Sequence, residues 1–449
     1  MKNWPKSSEL LKKNEQWIPG GIISLNRKSE PNIAFAKGSG SRVWDIEGNE
    51  YIDYHAGFSA TFLGYNDPDV SDAVLMSLDN EMILIGAGPS TIEGEFAELF
   101  CSCVPNVEKI QITTTGSEAT YHAVRISRAV TKKDHIIIMQ GGYNGWYNDV
   151  AANVISSLQD VGPRVSPGEY PIDALSAGIP KEHSSLIHVV NFNDLASVEY
   201  VLKTYPVACI LIEPILQNIG VVKPAEGYLQ GLRKLADGYG CLLIFDEVKT
   251  GFRHALGGYQ SLCGVVPDLS TFGKAVANGY PLAVVGGKRE YMDYFIDADK
   301  SKRVLIAGTY NAHPLATAAG VATLRKLASS EHKVYDHVYQ LGDVLEKGLT
   351  EIFDRYDTPF YIARQGSAFC LYFMDHAPQD FHDIAINHDF SLDREYRLGL
   401  IEKGIFHFPM PLKQGSISYA HTLADIEQTI EVTRSIVDRL HEKKSVLQP

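Results

Sequence analysis

The sequence predicts an α/β protein, with a large domain built on a mostly parallel sheet and a smaller α+β domain assembled from both chain ends. Three observations carry that expectation. Apolar runs of strand length recur through the middle of the 449 residues, separated by stretches of helical pattern. The two ends break this rhythm. No internal repeat and no low-complexity linker interrupts the chain.

The elements follow in order. "SRVWDIEGNEYIDY" (41–54) alternates in polarity around an "EGN" turn, which predicts a hairpin. "KIQITTT" (109–115) predicts a strand, and "SEATYHAVRISRAVT" the helix after it. "HIIIMQ" (135–140), "VACILIEP" (207–214), "CLLIFDEV" (241–248) and "LAVVGG" (282–287) predict further strands. Their unbroken apolar character suits strands covered on both faces. Helical patterns such as "EGYLQGLRKLADGYG" lie between them. From about residue 320 a long helix leads into mixed structure, with "GSAFCLYFM" (366–374) and "SISYAHT" (416–422) as its strands. Residues 71–315 are therefore expected to form the large domain, and 1–70 with 316–449 the small one. In parallel sheets of this kind, ligands bind at the carboxyl ends of the strands.

Composition narrows the function. Hydrophobic residues make up 45%, and the net charge is −13, which argues against nucleic acid or anionic membrane as the main partner. The start, "MKNWPKSSELLKKNEQW", has no apolar signal region, and no run approaches the length of a membrane span. Cys101 and Cys103 are spaced C-x-C, without the second pair or nearby histidines of a zinc site. Cys209, Cys241 and Cys370 sit in or beside apolar runs, and Cys263 completes the six. Thiols of this kind belong to a reducing compartment, so a cytoplasmic location is expected.

Four features could carry chemistry. Asp246 ends an apolar strand, where a carboxylate either caps a turn or faces a ligand. In "TTTGSEAT" a strand ends, Gly116 turns the chain, and a helix is expected from Ser117 or Glu118. Thr115 and Glu118 have the spacing of a capping box, and the exposed N–H groups of such a start also bind anions. The motif is neither a P-loop nor a dinucleotide fingerprint. Tyr143 follows two glycines in "MQGGYNGW" and can stack on a flat ligand. Lys274 is the only charge among the 18 residues of "STFGKAVANGYPLAVVGG" (270–287). Each feature alone has an ordinary structural explanation, and a lone lysine is usually exposed. Together they describe a pocket for pyridoxal 5'-phosphate: an anion cradle, an acid for the pyridine nitrogen, an aromatic face and an amine for a Schiff base.

The chain resembles the class III, fold-type I pyridoxal-phosphate aminotransferases, and within them the glutamate-1-semialdehyde aminomutase branch. "IPGGI", "WDIEGNEYIDY", "TTGSEA", "EPILQNIG", "FDEVKTGFR", "GVVPDLSTFGKAVANGYPLAVVGGKREYMD" and "GTYNAHPLATAAG" occur in the family's order. The resemblance implies that Lys274 is the Schiff-base lysine and Asp246 the partner of the ring nitrogen. Gly116 and Ser117 match the phosphate cradle, and Tyr143 the ring against the cofactor's face. Asn218 matches the contact to the phenolic oxygen, with Glu213 as support. Thr309 matches a residue that reaches the neighbouring subunit's phosphate, which implies a homodimer with shared active sites. Ser24 and Arg27, after "PGG", match the branch's carboxylate-binding positions. Two departures count against the aminomutase reaction itself: Lys413 stands where the branch has a glutamate, and Asn144 replaces a histidine. The expected activity is amino transfer between an amino-acid or amine donor and a carbonyl acceptor by a ping-pong mechanism. An aminomutase and an amino-acid racemase or epimerase are the alternatives.

Overall fold

The computed structural model describes residues 3–447 apart from 87, 105 and 357. The chain folds into two compact units. One comprises Met1–Asp67, Asp336–His376 and His388–Pro449; the other comprises Pro68–Tyr335 and Ala377–Asn387.

The predicted hairpin is present in the first unit. Strand β1 is Phe35–Ser39, β2 is Arg42–Asp45 and β3 is Glu50–Asp53, paired antiparallel in that order. Asp45 closes the turn by accepting from Asn49 N at 2.7 Å. This is the local side-chain bond that makes Asp a turn former.

The second unit holds a seven-stranded sheet. Its strands are β4 Lys109–Thr113, β5 His135–Met139, β6 Ile187–Val190, β7 Val207–Ile212, β8 Leu242–Glu247, β9 Leu269–Phe272 and β10 Ala283–Gly287. They lie in the order β4-β10-β9-β8-β7-β5-β6. The neighbours from β9 through to β6 are parallel, while β10 runs antiparallel to both β9 and β4. Every position of β7 and β8 is buried, as continuous apolar runs require. Strands β6 and β9 have no counterpart among the strands expected from sequence. Each has only four residues, and the "ST" of β9 does not read as apolar.

This unit extends to Tyr335, beyond the 315/316 boundary read from sequence. The helix Pro314–Ala328 explains why. Gly320 lies against Phe96 of the helix Thr91–Cys103, and Lys326 Nζ meets Asp69 Oδ2 at 2.6 Å.

The remaining strands belong to the first unit. β11 is Tyr361–Gln365, β12 is Ala368–Tyr372, β13 is Ile405–Phe406 and β14 is Gly415–Ser416. β13 joins β3 in parallel, so both chain ends share a core of Tyr51, Ile401 and Phe406. The "SISYAHT" segment forms a strand only at its first residue. Ile417 N still bonds Ser367 O, but the chain then turns, with Ser418 N donating to His421 Nδ1 at 3.0 Å.

Candidate active site

The carboxyl ends of five strands bring Gly116, Ser117, Tyr143, Asp246 and Lys274 together, with Glu213 behind them. β4 runs into the helix Gly116–Thr131, β5 into the loop of Tyr143, and β7 into Glu213. Asp246 lies near the end of β8, and β9 leads into a short 3-10 turn that opens at Lys274. A cavity of about 190 Å³ is lined by Gly116, Ser117, Tyr143, Asp246 and Lys274, with Asn144, Thr114 and Tyr280 beside them.

The helix starts one residue earlier than expected, at Gly116. Thr115 Oγ1 accepts from Glu118 N at 3.3 Å, and Glu118 Oε2 accepts from Thr115 N at 2.7 Å. The capping box thus occupies the donors it needs, and no bond is recorded for the N–H groups of Gly116 and Ser117 among the described residues. They are the orphan donors of a helix start, and they border the cavity. Gly116 also answers a steric demand: a Cβ there would lie 2.7 Å from Val248 Cγ1.

Asp246 is buried and bonded at both oxygens. Oδ1 accepts from Val248 N at 3.0 Å and Thr271 Oγ1 at 3.1 Å, and Oδ2 accepts from Asn144 Nδ2 at 2.8 Å. Burial pushes its carboxyl above the usual range, against the opposing effect of these donors and of Lys274. Lys274 is held at a φ of 48°, and its Nζ makes no hydrogen bond among the described residues. Desolvation lowers its pKa, while Asp246 and Glu213 pull the other way. The net effect favours the neutral, nucleophilic amine.

Glu213 and Asn218 are not among the lining residues. Glu213 Oε1 accepts from Tyr143 N and from Asn218 Nδ2, each at 2.9 Å, so the pair steadies the loop that presents Tyr143. Tyr143 itself is 36% exposed at the cavity. Thr309 is not in this cavity; it lines a separate groove with Leu84, Glu93 and His313. Ser24, Arg27 and Lys413 belong to the other compact unit. Ser24 and Arg27 share one exposed turn, with Arg27 N bonded to Ser24 O at 2.9 Å. Lys413 is partly buried after Leu412.

Sequence reasoning missed Thr271 and the donor role of Asn144. A hydroxyl in the buried strand "LSTF" was the available signal for the first. The second depends on the path of the loop.

These residues fit pyridoxal phosphate. A buried carboxylate, an unbonded amine and open helix-start N–H groups stand around one cavity, which is the donor set that an anionic, nitrogen-bearing ring requires. No helix of the described residues is long and apolar enough to cross a membrane.

Comparison with known proteins agrees. The family model described as aminotransferase class-III matches residues 24–404. Glutamate-1-semialdehyde 2,1-aminomutase 2 of Brevibacillus brevis is 35% identical over 440 residues, covering 96% of this chain and 98% of that protein. The solved omega-transaminase from Sphaerobacter thermophilus is similar with a TM-score of 0.88 at 28% identity, covering 96% of this chain and 97% of that one. A solved transaminase with PLP bound has a TM-score of 0.86 at 26% identity, covering 99% of each chain.

Proposed function

The chain belongs to the class-III aminotransferases, enzymes that use pyridoxal 5'-phosphate, and from that premise we propose that it carries out net amino transfer. The donor is an amino acid or amine, and the acceptor a carbonyl compound. The observation that carries this reading is Lys274: an unbonded, desolvated amine in one cavity with Asp246 and the open helix start.

Bound there, the cofactor supplies an electron sink for the carbon that bears the amino group. The chain's own residues do the rest. Lys274 Nζ would hold the cofactor covalently and, as a neutral amine, would move a proton to and from the substrate carbon. Asp246 holds negative charge against the ring nitrogen and keeps it protonated. The N–H groups of Gly116 and Ser117, with the Ser117 hydroxyl, hold the phosphate. Tyr143 covers one ring face. Glu213 fixes both Asn218 and the Tyr143 loop, and the family match makes Asn218 the residue that would meet the ring oxygen.

Arg27, with Ser24, clamps the substrate carboxylate through charge-assisted bonds. A substrate whose amino group lies outside the usual α position, such as a β-amino acid, suits that clamp. Lys413 replaces an acidic residue of the aminomutase branch and favours an anionic substrate. Thr309, away from the lysine cavity of its own chain, serves the phosphate of a second copy in a homodimer. The six free thiols support a cytoplasmic location.

Internal amino shift is the second reading, favoured by 35% identity to an aminomutase along 96% of the chain. A panel of donors and acceptors separates the two. Product that forms only with an added donor supports transfer. Isomerisation of one substrate without a donor supports the mutase. Loss of substrate chirality with no carbonyl product overturns both.

A further inference from the structure

Three consecutive residues close the lysine cavity, and each reaches a different wall. Tyr143 N donates to Glu213 Oε1 at 2.9 Å. Asn144 Nδ2 donates to Asp246 Oδ2 at 2.8 Å. Gly145, at a φ of 135°, lies so close to the helix start that a Cβ would come within 3.1 Å of Ser117 Oγ. The carbonyl of Asn144 also accepts from Thr120 Oγ1, one turn into that helix, at 2.6 Å. Buried Asn144 therefore joins the helix that presents the anion donors to the carboxylate across the cavity.

A carboxylate offers about four lone-pair sites. At Asp246 two donors occupy Oδ1 and one occupies Oδ2, so the remaining site is on Oδ2. Asn144 shares that oxygen and decides where the remaining lone pair points. An amide donates without carrying charge and without titrating.

We propose that Asn144 is a positioning residue for the reaction, a non-titrating donor that aims Asp246 Oδ2 at the ring nitrogen and fixes its distance from the phosphate cradle. The inference rests on the reading that Asp246 partners that nitrogen. The other titratable groups around Asp246 are Lys274, Glu213, Tyr143 and Tyr147. None of them bonds Oδ2 among the described residues.

The holoenzyme tests this through Asn144→Ala and Asn144→His, read by the bound cofactor's absorbance against pH, the cofactor dissociation constant, and kcat apart from KM. Asn144→Ala should lower kcat by about tenfold at nearly constant KM, the effect of one lost bond to a charged group. Its absorbance midpoint should shift. Asn144→His should recover rate, since imidazole returns an N–H, and should add a pH inflection that the wild type lacks. Wild-type absorbance and kcat in Asn144→Ala overturn the proposal. If that variant does not fold, a histidine variant with no new inflection overturns it alone. Asp246→Asn separates the two levels of the argument. If it keeps wild-type absorbance and rate, the underlying reading fails. If it loses them while Asn144→Ala does not, only the role of Asn144 fails.

Discussion

Lys274 is an amine placed where charge is disfavoured, and its chemistry follows from that. Lys274→Ala should cut turnover by about 10³-fold or more, the scale of losing a covalent catalyst. Borohydride reduction followed by peptide mapping should mark Lys274 in the wild type. A label on another lysine would remove it from the reaction. Gly116 makes a different prediction. Its missing Cβ leaves room for Val248, so Gly116→Ala should cost about 1–3 kcal/mol by overpacking and weaken cofactor binding. Val248→Ala on that background should restore thermal stability and affinity. If it restores neither, the steric account is wrong. At this scale the sequence disclosed residues whose type and place are unusual: a charge at the end of an apolar strand, and a lone lysine among small residues. It could not disclose Asn144 and Thr271 as donors to Asp246. Those bonds join residues 102 and 25 positions apart, and only the sheet order brings them together.

Among elements, legibility followed length and apolarity. β5, β7 and β8 are predicted because each is rich in Ile, Val or Leu, and β10 because its start continues the apolar "LAVV". β6 and β9 pass unnoticed because four residues carry little pattern. The opposite error occurs at "SISYAHT", where alternation predicts a strand but a turn from Ser418 to His421 ends it. The capping box of Gly116–Thr131 was legible from two residues, and its energetic role can be measured. Thr115→Ala should cost about 1 kcal/mol, as loss of a helix N-cap does. The cost should appear as a lower Tm, together with weaker cofactor binding as the first turn frays. Unchanged affinity would detach the helix start from the phosphate.

At the scale of the whole molecule, buried titrating groups and assembly matter. His421 is buried, and its Nδ1 accepts from Ser418 N; burial depresses its pKa to about 4. The unfolded chain takes up a proton there below about pH 6.5, while the folded chain does not until about 4. Stability from this group is therefore present above about pH 6.5 and is lost as pH falls towards 4. The Tm advantage of the wild type over His421→Gln should shrink between about pH 7 and about pH 5. A constant difference would show that His421 does not titrate this way. The proposed homodimer gives a complementation test. Lys274→Ala and Thr309→Ala subunits, each impaired alone, should regain activity when mixed and reassembled. The mixed dimer would then hold one site with both defects and one with neither. No gain on mixing would place Thr309 outside the partner's site.

The large unit is not one continuous stretch of chain: residues 377–387 belong to it, although 336–376 do not. That late piece is firmly engaged. Asp380 pairs with Arg164, Gln379 O accepts from Asn193 at 2.8 Å, and His382 Nε2 bonds Gly162 O at 3.1 Å. Phe381 backs Gly141, at the root of the loop that carries Tyr143 and Asn144. During synthesis, then, the ribosome delivers every strand of the seven-stranded sheet before the segment that supports this loop. At roughly 5–20 residues per second, the nascent catalytic unit waits several seconds for its last part. Cofactor capture on the ribosome should lag behind formation of the sheet.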